Sequence, residues 1–314
     1  MRDLRIVFMG TPDFAATILQ HLVENDYNVV GVITAPDKPA GRGRKLNQSA
    51  VKKYALSQNL PILQPKNLKN EEFQKDLKKW DANLQVVVAF RMLPKSVWAL
   101  PEYGTFNLHA SLLPEYRGAA PINWAIINGE TKTGVTTFFI DGKIDTGEII
   151  LQNEVTIKGD EIVGELHDRL MHLGAKLVAE TLDLIAKGDV TTTKQPELEE
   201  KSAPKLYPHN CKIDWSKSLN DIYNHIRGLN PYPAAWTTIV NGDDELSAKI
   251  YGVSKAPTSH NLEVGAIVTT KKELKIAVTD GYLNIHQIKI SGKKLMDVQS
   301  LLNGFQFEKD AKVL

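Results

Sequence analysis

The 314 residues suffice for one large or two ordinary domains, and 42% apolar with 24% charged residues is the usage of an ordinary globular protein. A formal net charge of +1 excludes a chain that is polybasic throughout, so any attraction to RNA must come from local charge. Cys211 is the only cysteine, which excludes an intrachain disulfide and a multi-cysteine zinc site and suits a reducing cytoplasm.

Residues 4–9 read as a buried strand. That run is too short for the apolar core of a signal peptide, and no apolar run approaches membrane-spanning length, so no membrane association is expected. Residues 13–24 follow with helical spacing, Phe14, Ile18, Leu19 and Leu22 falling on one face. Residues 29–33 form a second strand, and residues 84–89 read as a strand covered on both faces. Residues 105–109 are a further strand. Strands alternating with helices imply an α/β fold with a mostly parallel sheet and right-handed crossovers. Residues 133–140 and 148–155 are strand-like, and a long amphipathic helix runs from about Glu161 to Ala186. Between Lys187 and Lys205 the composition shifts to Gly, Thr, Glu, Lys and two prolines, as in a linker or an extended excursion. Beyond it, short strands at 248–253, 265–269, 274–278 and 282–290 suggest a small barrel. Nothing suggests an obligate partner chain, so a monomer is expected.

Side chains alternate along a strand, so Asn107 and His109 share one face and Leu108 points the other way. An amide and an imidazole then sit side by side where a strand gives way to a loop, the usual ligand position in open α/β sheets. Taken alone, such a pair fits local backbone bonding equally well. Gly10-Thr11-Pro12-Asp13-Phe14-Ala15 occupies the place of a dinucleotide loop but lacks its middle glycine, and Pro12 removes a donor. NAD and FAD are rejected on that ground. Residues 36–53 carry six basic residues (Lys38, Arg42, Arg44, Lys45, Lys52, Lys53) against Asp37 alone, a local balance of +5. Two prolines and two glycines make the segment an excursion rather than a tight turn. His167 and His172 lie five apart on the long helix, the wrong spacing for a zinc pair, and read as surface or packing residues. Lys293-Lys294 fits a solubilising turn as well as a phosphate contact. Asp141 precedes a glycine and fits a turn residue; Asp145 fits that role less well.

Phe8-Met9-Gly10-Thr11-Pro12, Pro36-Asp37-Lys38-Pro39-Ala40-Gly41-Arg42-Gly43, Asn107-Leu108-His109-Ala110-Ser111-Leu112-Leu113-Pro114, Arg117-Gly118-Ala119-Ala120-Pro121-Ile122 and Asp145-Thr146-Gly147 are joined by Ile213-Asp214-Trp215 and Arg227-Gly228-Leu229-Asn230-Pro231-Tyr232-Pro233-Ala234 in the last third. Over nearly the whole chain this set resembles the formyltransferases that use 10-formyltetrahydrofolate. Asn-x-His followed by Ser-Leu-Leu-Pro marks the wider superfamily, and the basic excursion and C-terminal third resemble its tRNA-acting branch. The resemblance implies a Rossmann-like catalytic domain at residues 1–188, a linker at 189–205, and an OB-like β-barrel at 206–314 that helps hold tRNA. It implies 10-formyltetrahydrofolate as co-substrate, no metal, and methionyl initiator tRNA as acceptor.

The implied reaction is attack of an α-amino group on a formyl carbon, which puts negative charge on oxygen. Preorganised donors aimed at such an oxygen are worth roughly 3–4 kcal/mol each. By resemblance the catalytic residues are Asn107 and His109, as donors, and Asp145, which would hold the imidazole and take the amine's proton directly or through water. The folate wall would comprise Ser111, Leu112, Leu113 and Pro114 with Val87, Val88, Ala89 and Phe90. Lys38, Arg42, Arg44 and Lys45 would meet the acceptor end of tRNA through its phosphates. The family pattern leads one to expect Tyr-Gly where this chain has Phe90-Arg91, which adds bulk and charge near the folate wall. The rival readings are a formyltransferase acting on a small amine, a folate-dependent hydrolase, and a non-catalytic RNA-binding protein.

Overall fold

A computed structural model describes residues 1–40, 45–196 and 201–314. The chain divides into two compact units, one of residues 1–118, 133–155 and 167–202, the other of 119–132, 156–166 and 203–314.

In chain order the first part comprises β1 (Ile6–Gly10), α1 (Asp13–Glu24), β2 (Val29–Ile33), β3 (Lys38–Ala40), β4 (Lys45–Asn47), α2 (Ala50–Ser57), β5 (Ile62–Leu63), α3 (Glu71–Lys79), β6 (Leu84–Val88), α4 (Lys95–Trp98), β7 (Thr105–His109), α5 (Pro121–Ile127), β8 (Lys132–Phe139), β9 (Ile149–Thr156) and α6 (Val163–Lys187). Strands β1 and β6 are buried along their whole length, as strands covered on both faces must be. The central sheet has seven strands in the order β5-β2-β1-β6-β7-β8-β9. The pairs β5–β2, β2–β1, β1–β6 and β6–β7 are parallel, and β8 runs antiparallel to β7. The chain builds outward from β1 first through β2 and then through β6, so the sheet reverses between β1 and β6. Clefts at such a switch point open at the carboxyl ends of the strands. The carboxyl ends of β6 and β7 lie beside that point.

Helix α1 buries the face read from sequence, Phe14, Ile18, Leu19 and Leu22, together with Ala15. Helices α2 and α3 are held at their starts by Ser49 and Asn70, whose side chains accept the Lys52 and Phe73 amides. Among the described residues no helix is long and apolar enough to cross a membrane.

The second unit contains α7 (Leu219–Leu229), β10 (Ala235–Asn241), β11 (Asp244–Ile250), β12 (Val253–Pro257), β13 (Ile267–Thr269), β14 (Leu274–Val278), β15 (Gly281–Ile285), β16 (Gln287–Ile290), β17 (Met296–Asp297), α8 (Val298–Leu302) and β18 (Lys312–Val313). Its strands form antiparallel sheets ordered β17-β16-β11-β10-β18 and β12-β15-β14-β13. The sheets join twice. Ala266 bridges to Lys312, and the paired strands β11–β16 bend into β12–β15 where His286 and Gln287 both donate to the Gly252 carbonyl. That bulge divides the single strands read at 248–253 and 282–290, because a strand that turns a barrel corner must break its ladder there. The interior is apolar, with Ile239, Ala248, Ile250, Ile276, Leu283 and Ile288 among its members.

Candidate active site

Strand β7 carries the site. In register, Asn107 lies between Val87 of β6 and Phe138 of β8, and His109 lies beside Thr136. Leu108 faces the other way: a Cβ added at Gly174 of α6 would lie 2.7 Å from Leu108 Cδ2, and its neighbour Thr137 hydrogen-bonds Thr181 at 2.8 Å. Helix α6 thus covers one face and leaves Asn107 and His109 on the other. Asn107 is half-buried, and no hydrogen bond to its amide is found among the described residues. The ring of His109 is 6% exposed.

The ring's two nitrogens are differently engaged. Nε2 lies 2.9 Å from the Tyr116 carbonyl oxygen. A carbonyl only accepts, so Nε2 carries a proton and donates. Nδ1 faces Asp145 Oδ2 at 3.7 Å, longer than a hydrogen bond. Asp145 Oδ2 also accepts the Gly118 amide at 2.9 Å. Asp145 has φ of 55°, a left-handed conformation that short polar side chains tolerate. Asp141 is a turn residue, accepting the Lys143 amide and the Thr146 hydroxyl, each at 2.8 Å.

Gln195 fixes the Asp145 turn. Its Nε2 donates to the Asp145 carbonyl at 2.9 Å and the Gly147 carbonyl at 2.7 Å, while its Oε1 accepts Arg117 Nε at 3.1 Å. A Cβ at Gly147 would lie 1.6 Å from the Phe139 carbonyl oxygen. Gly147→Ala is therefore expected to force this hairpin apart and to cost about 3 kcal/mol, as overpacking does. Thermal unfolding of the variant checks it; an unchanged melting temperature would contradict it.

Residues 111–114 are pinned by Thr136. Its hydroxyl donates to the Ser111 carbonyl at 2.6 Å, and it accepts the Leu113 amide at 3.2 Å and Gln152 Nε2 at 2.9 Å. Ser111 and Leu113 are buried, and the Ser111 hydroxyl is spent on the Glu115 carbonyl at 2.6 Å. Leu112 and Pro114 are half-buried. Val88 is fully buried at the end of β6. Ala89, with φ of 46°, is exposed and turns the chain out of the sheet, and Phe90 is half-buried. The Arg91 guanidinium lies 5.5 Å from the centroid of the Phe90 ring and donates to the Pro65 and Lys66 carbonyls, so its charge is already engaged.

Within the basic excursion residues 38–40 and 45–47 form an antiparallel ribbon, Lys38 pairing with Asn47, Pro39 with Leu46 and Ala40 with Lys45, whereas Lys52 and Lys53, read as part of the excursion, lie in helix α2. Lys38 is exposed, and Lys45 belongs to β4. Arg42 and Arg44 lie outside the described residues. His167 packs edge-on against Phe14 with ring centroids 5.3 Å apart and is partly exposed, which fits the surface or packing residue expected.

Sequence reasoning missed Gln195, Thr136, Gln152 and the Tyr116 carbonyl. Thr136 could have been found, because it shares a strand face with the expected site once β8 is paired to β7. Gln195 sits in the stretch read as a linker, and nothing in its neighbours marks it.

Residues 4–182 match the family profile described as formyl transferase, and residues 205–306 match that of the formyl transferase C-terminal domain. The chain belongs to the formyl transferase family. Relatives within the family include methionyl-tRNA formyltransferase of Flavobacterium johnsoniae, 58% identical over 100% of both chains. The enzyme of that name from Bacteroides fragilis is 54% identical over 99% of this chain and 98% of its own. Among solved structures, a sugar 3N-formyl transferase determined with 5-N-formyl-THF shares the formyl transferase fold at TM-score 0.67, with 20% identity over 94% of this chain and 100% of that one. HypX from Aquifex aeolicus in complex with tetrahydrofolic acid aligns at TM-score 0.65 and 15% identity, over 96% of this chain and 47% of its own.

Proposed function

We infer that this formyl transferase moves the formyl group of 10-formyltetrahydrofolate to the α-amino group of methionyl initiator tRNA, giving formylmethionyl-tRNA for translation initiation. The observation that carries the reading is full-length identity of 54–58% to methionyl-tRNA formyltransferases, both domains included. The residues at the carboxyl ends of β6 and β7 fit the folate. A half-buried amide with no partner among the described residues, the exposed Ala89 and the half-buried Phe90, Leu112 and Pro114 offer the mixture of polar and apolar contact that a pterin needs. Ser111, Leu113 and Val88 are buried, so they serve through backbone and by shaping the wall.

When bound, the folate supplies an amide-like formyl carbon whose oxygen gains negative charge on attack. Asn107 donates its amide hydrogen toward that charge. His109 keeps Nε2 on the Tyr116 carbonyl, which fixes the ring and leaves Nδ1 as the working nitrogen. For Nδ1 to donate, the ring must carry both protons, and the Asp145 carboxylate is the charge that balances them. That carboxylate would take the amine's proton, directly or through water, as the new C–N bond forms and the bond from the formyl carbon to folate N10 breaks, releasing tetrahydrofolate whose N10 takes up a proton. Gln195 and Gly118 hold Asp145 in place for both tasks.

Residues 1–188 are assigned to catalysis and 206–314 to tRNA binding, with 189–205 between them. Lys38, Arg42, Arg44 and Lys45 serve as the arm that meets the acceptor end. A tRNA acceptor puts the work in the cytoplasm, and a monomer is sufficient for it. Formyl transfer from 10-formyltetrahydrofolate, with methionyl initiator tRNA, free amines and water in competition, tests the reading. Preferential formylation of a small amine, or release of formate, would replace it. Arg42→Ala should weaken methionyl-tRNA use and reduce the salt slope of tRNA binding by roughly one unit, with folate affinity unchanged. Impaired folate binding with an intact salt slope would assign the arm to the small-molecule pocket.

A further inference from the structure

The ribbon that carries the basic residues is too small to direct itself. Among the described residues it has three residue pairs, one member of which is Pro39, and Leu46 on it is 69% exposed. Isolated two-stranded ribbons are marginal in water. Its direction must come from the root, and the root is tied by side chains. Thr34, next after β2, hydrogen-bonds Ser49, the cap of α2, at 2.7 Å. Asp37 Oδ2 meets Lys52 Nζ of α2 at 2.6 Å, and Asp37 Oδ1 accepts Gln64 Nε2 at 2.8 Å. Gln64 follows β5 and also donates to the Ala35 carbonyl at 2.7 Å. One carboxylate therefore links the exit of β2, the first turn of α2 and the exit of β5.

The pair is shielded, with the Asp37 and Lys52 side chains 19% and 15% exposed. Lys52 and Gln64 hold the Asp37 carboxyl below the usual carboxylate range. Asp37 is the only acidic residue among the six basic ones of residues 36–53, and it is turned inward onto Lys52. Lys52 is thereby withdrawn from the set that can meet phosphate.

We propose that the Asp37–Lys52–Gln64 clasp aims the basic arm, and that Asp37 is a positioning residue for the tRNA acceptor. The proposal rests on the reading of the arm as acceptor-binding. Loss of the clasp leaves the folate site complete and lets the arm swing at its root. A displacement of about 1 Å suffices to cost on the order of 10²-fold in rate.

The test compares Asp37→Asn, Lys52→Gln and the double variant. Asp37→Asn keeps the volume and an oxygen for Gln64 but loses the charge. Trypsin cleavage within residues 42–45 reports the freedom of the arm, and steady-state kinetics report its aim. Each single variant should be cut faster, lose roughly 10–10²-fold in kcat/KM for methionyl-tRNA, and keep the parent KM for folate. The double variant should be no worse than either single, because both break one link. Lys52→Gln should also leave the salt slope of tRNA binding unchanged. Unchanged cleavage, losses that multiply in the double variant, or a flattened salt slope for Lys52→Gln would overturn the proposal. So would faster cleavage with normal tRNA kinetics. In that case Arg42→Ala separates the two ideas: an impaired Arg42→Ala keeps the arm and removes the clasp's role, and a normal one removes both. If Asp37→Asn loses its cooperative thermal transition, Gln64→Met carries the same readouts with the ion pair intact.

Discussion

His109→Ala is expected to lower single-turnover formyl transfer by about 10²–10⁴-fold with both substrates saturating, the usual worth of a positioned proton-transfer or donor group. The buried ring is held by the Tyr116 carbonyl, so alanine leaves a small cavity and removes that one bond. The cost should therefore fall on chemistry more than on folding, and a cooperative thermal transition near the parent's should accompany the loss. Asn107→Ala should cost roughly 10²–10³-fold through removal of one donor. The Asn107 amide has no hydrogen-bond partner among the described residues, so its deletion breaks no structural bond. That makes Asn107→Ala the cleaner of the two experiments. Near-normal single-turnover rates in either variant would remove that residue from the mechanism.

Much of this site was legible because β7 is a regular strand. Alternation alone put Asn107 and His109 on one face, and the pairing to β6 and β8 keeps them there. Helix α1 was equally legible, since its buried residues follow a 3.6-residue period. Helix α7 was not. Its apolar residues Leu219, Ile222, Tyr223, Ile226 and Leu229 do repeat at helical spacing, but the buried Asn224 and Arg227 blur the pattern in a stretch otherwise read for strands. Those two polar residues satisfy each other at 2.9 Å, and Arg227 also donates to the Glu161 carbonyl at 3.1 Å. Strand β10 shows alternation only in burial, with threonines at both inward and outward positions. Gln195 was illegible for a different reason. Its value lies in three backbone and side-chain partners distant in sequence, which no local pattern encodes.

Asp145→Asn is expected to lower kcat by a comparable 10²–10⁴-fold and to change the shape of the pH–rate profile. The substitution isolates charge. Asparagine fits the same left-handed backbone at φ of 55°, its side-chain oxygen can still accept the Gly118 amide, and Gln195 binds only backbone carbonyls here. The turn should therefore survive while the carboxylate is lost. Nδ1 of His109 stands 3.7 Å from that carboxylate, too far for a hydrogen bond and close enough for strong attraction in a site shielded from water. In the proposed mechanism Asp145 has two tasks: balancing the charge on the ring and receiving a proton from the attacking amine. Both need the negative charge, and the neutral amide supplies neither. Single-turnover rates measured across the pH range distinguish this from a purely structural role. A structural role would lower the rate by the same factor at every pH and reduce the melting temperature. An Asp145→Asn enzyme whose profile overlays the parent's would show that carboxylate and ring do not act together.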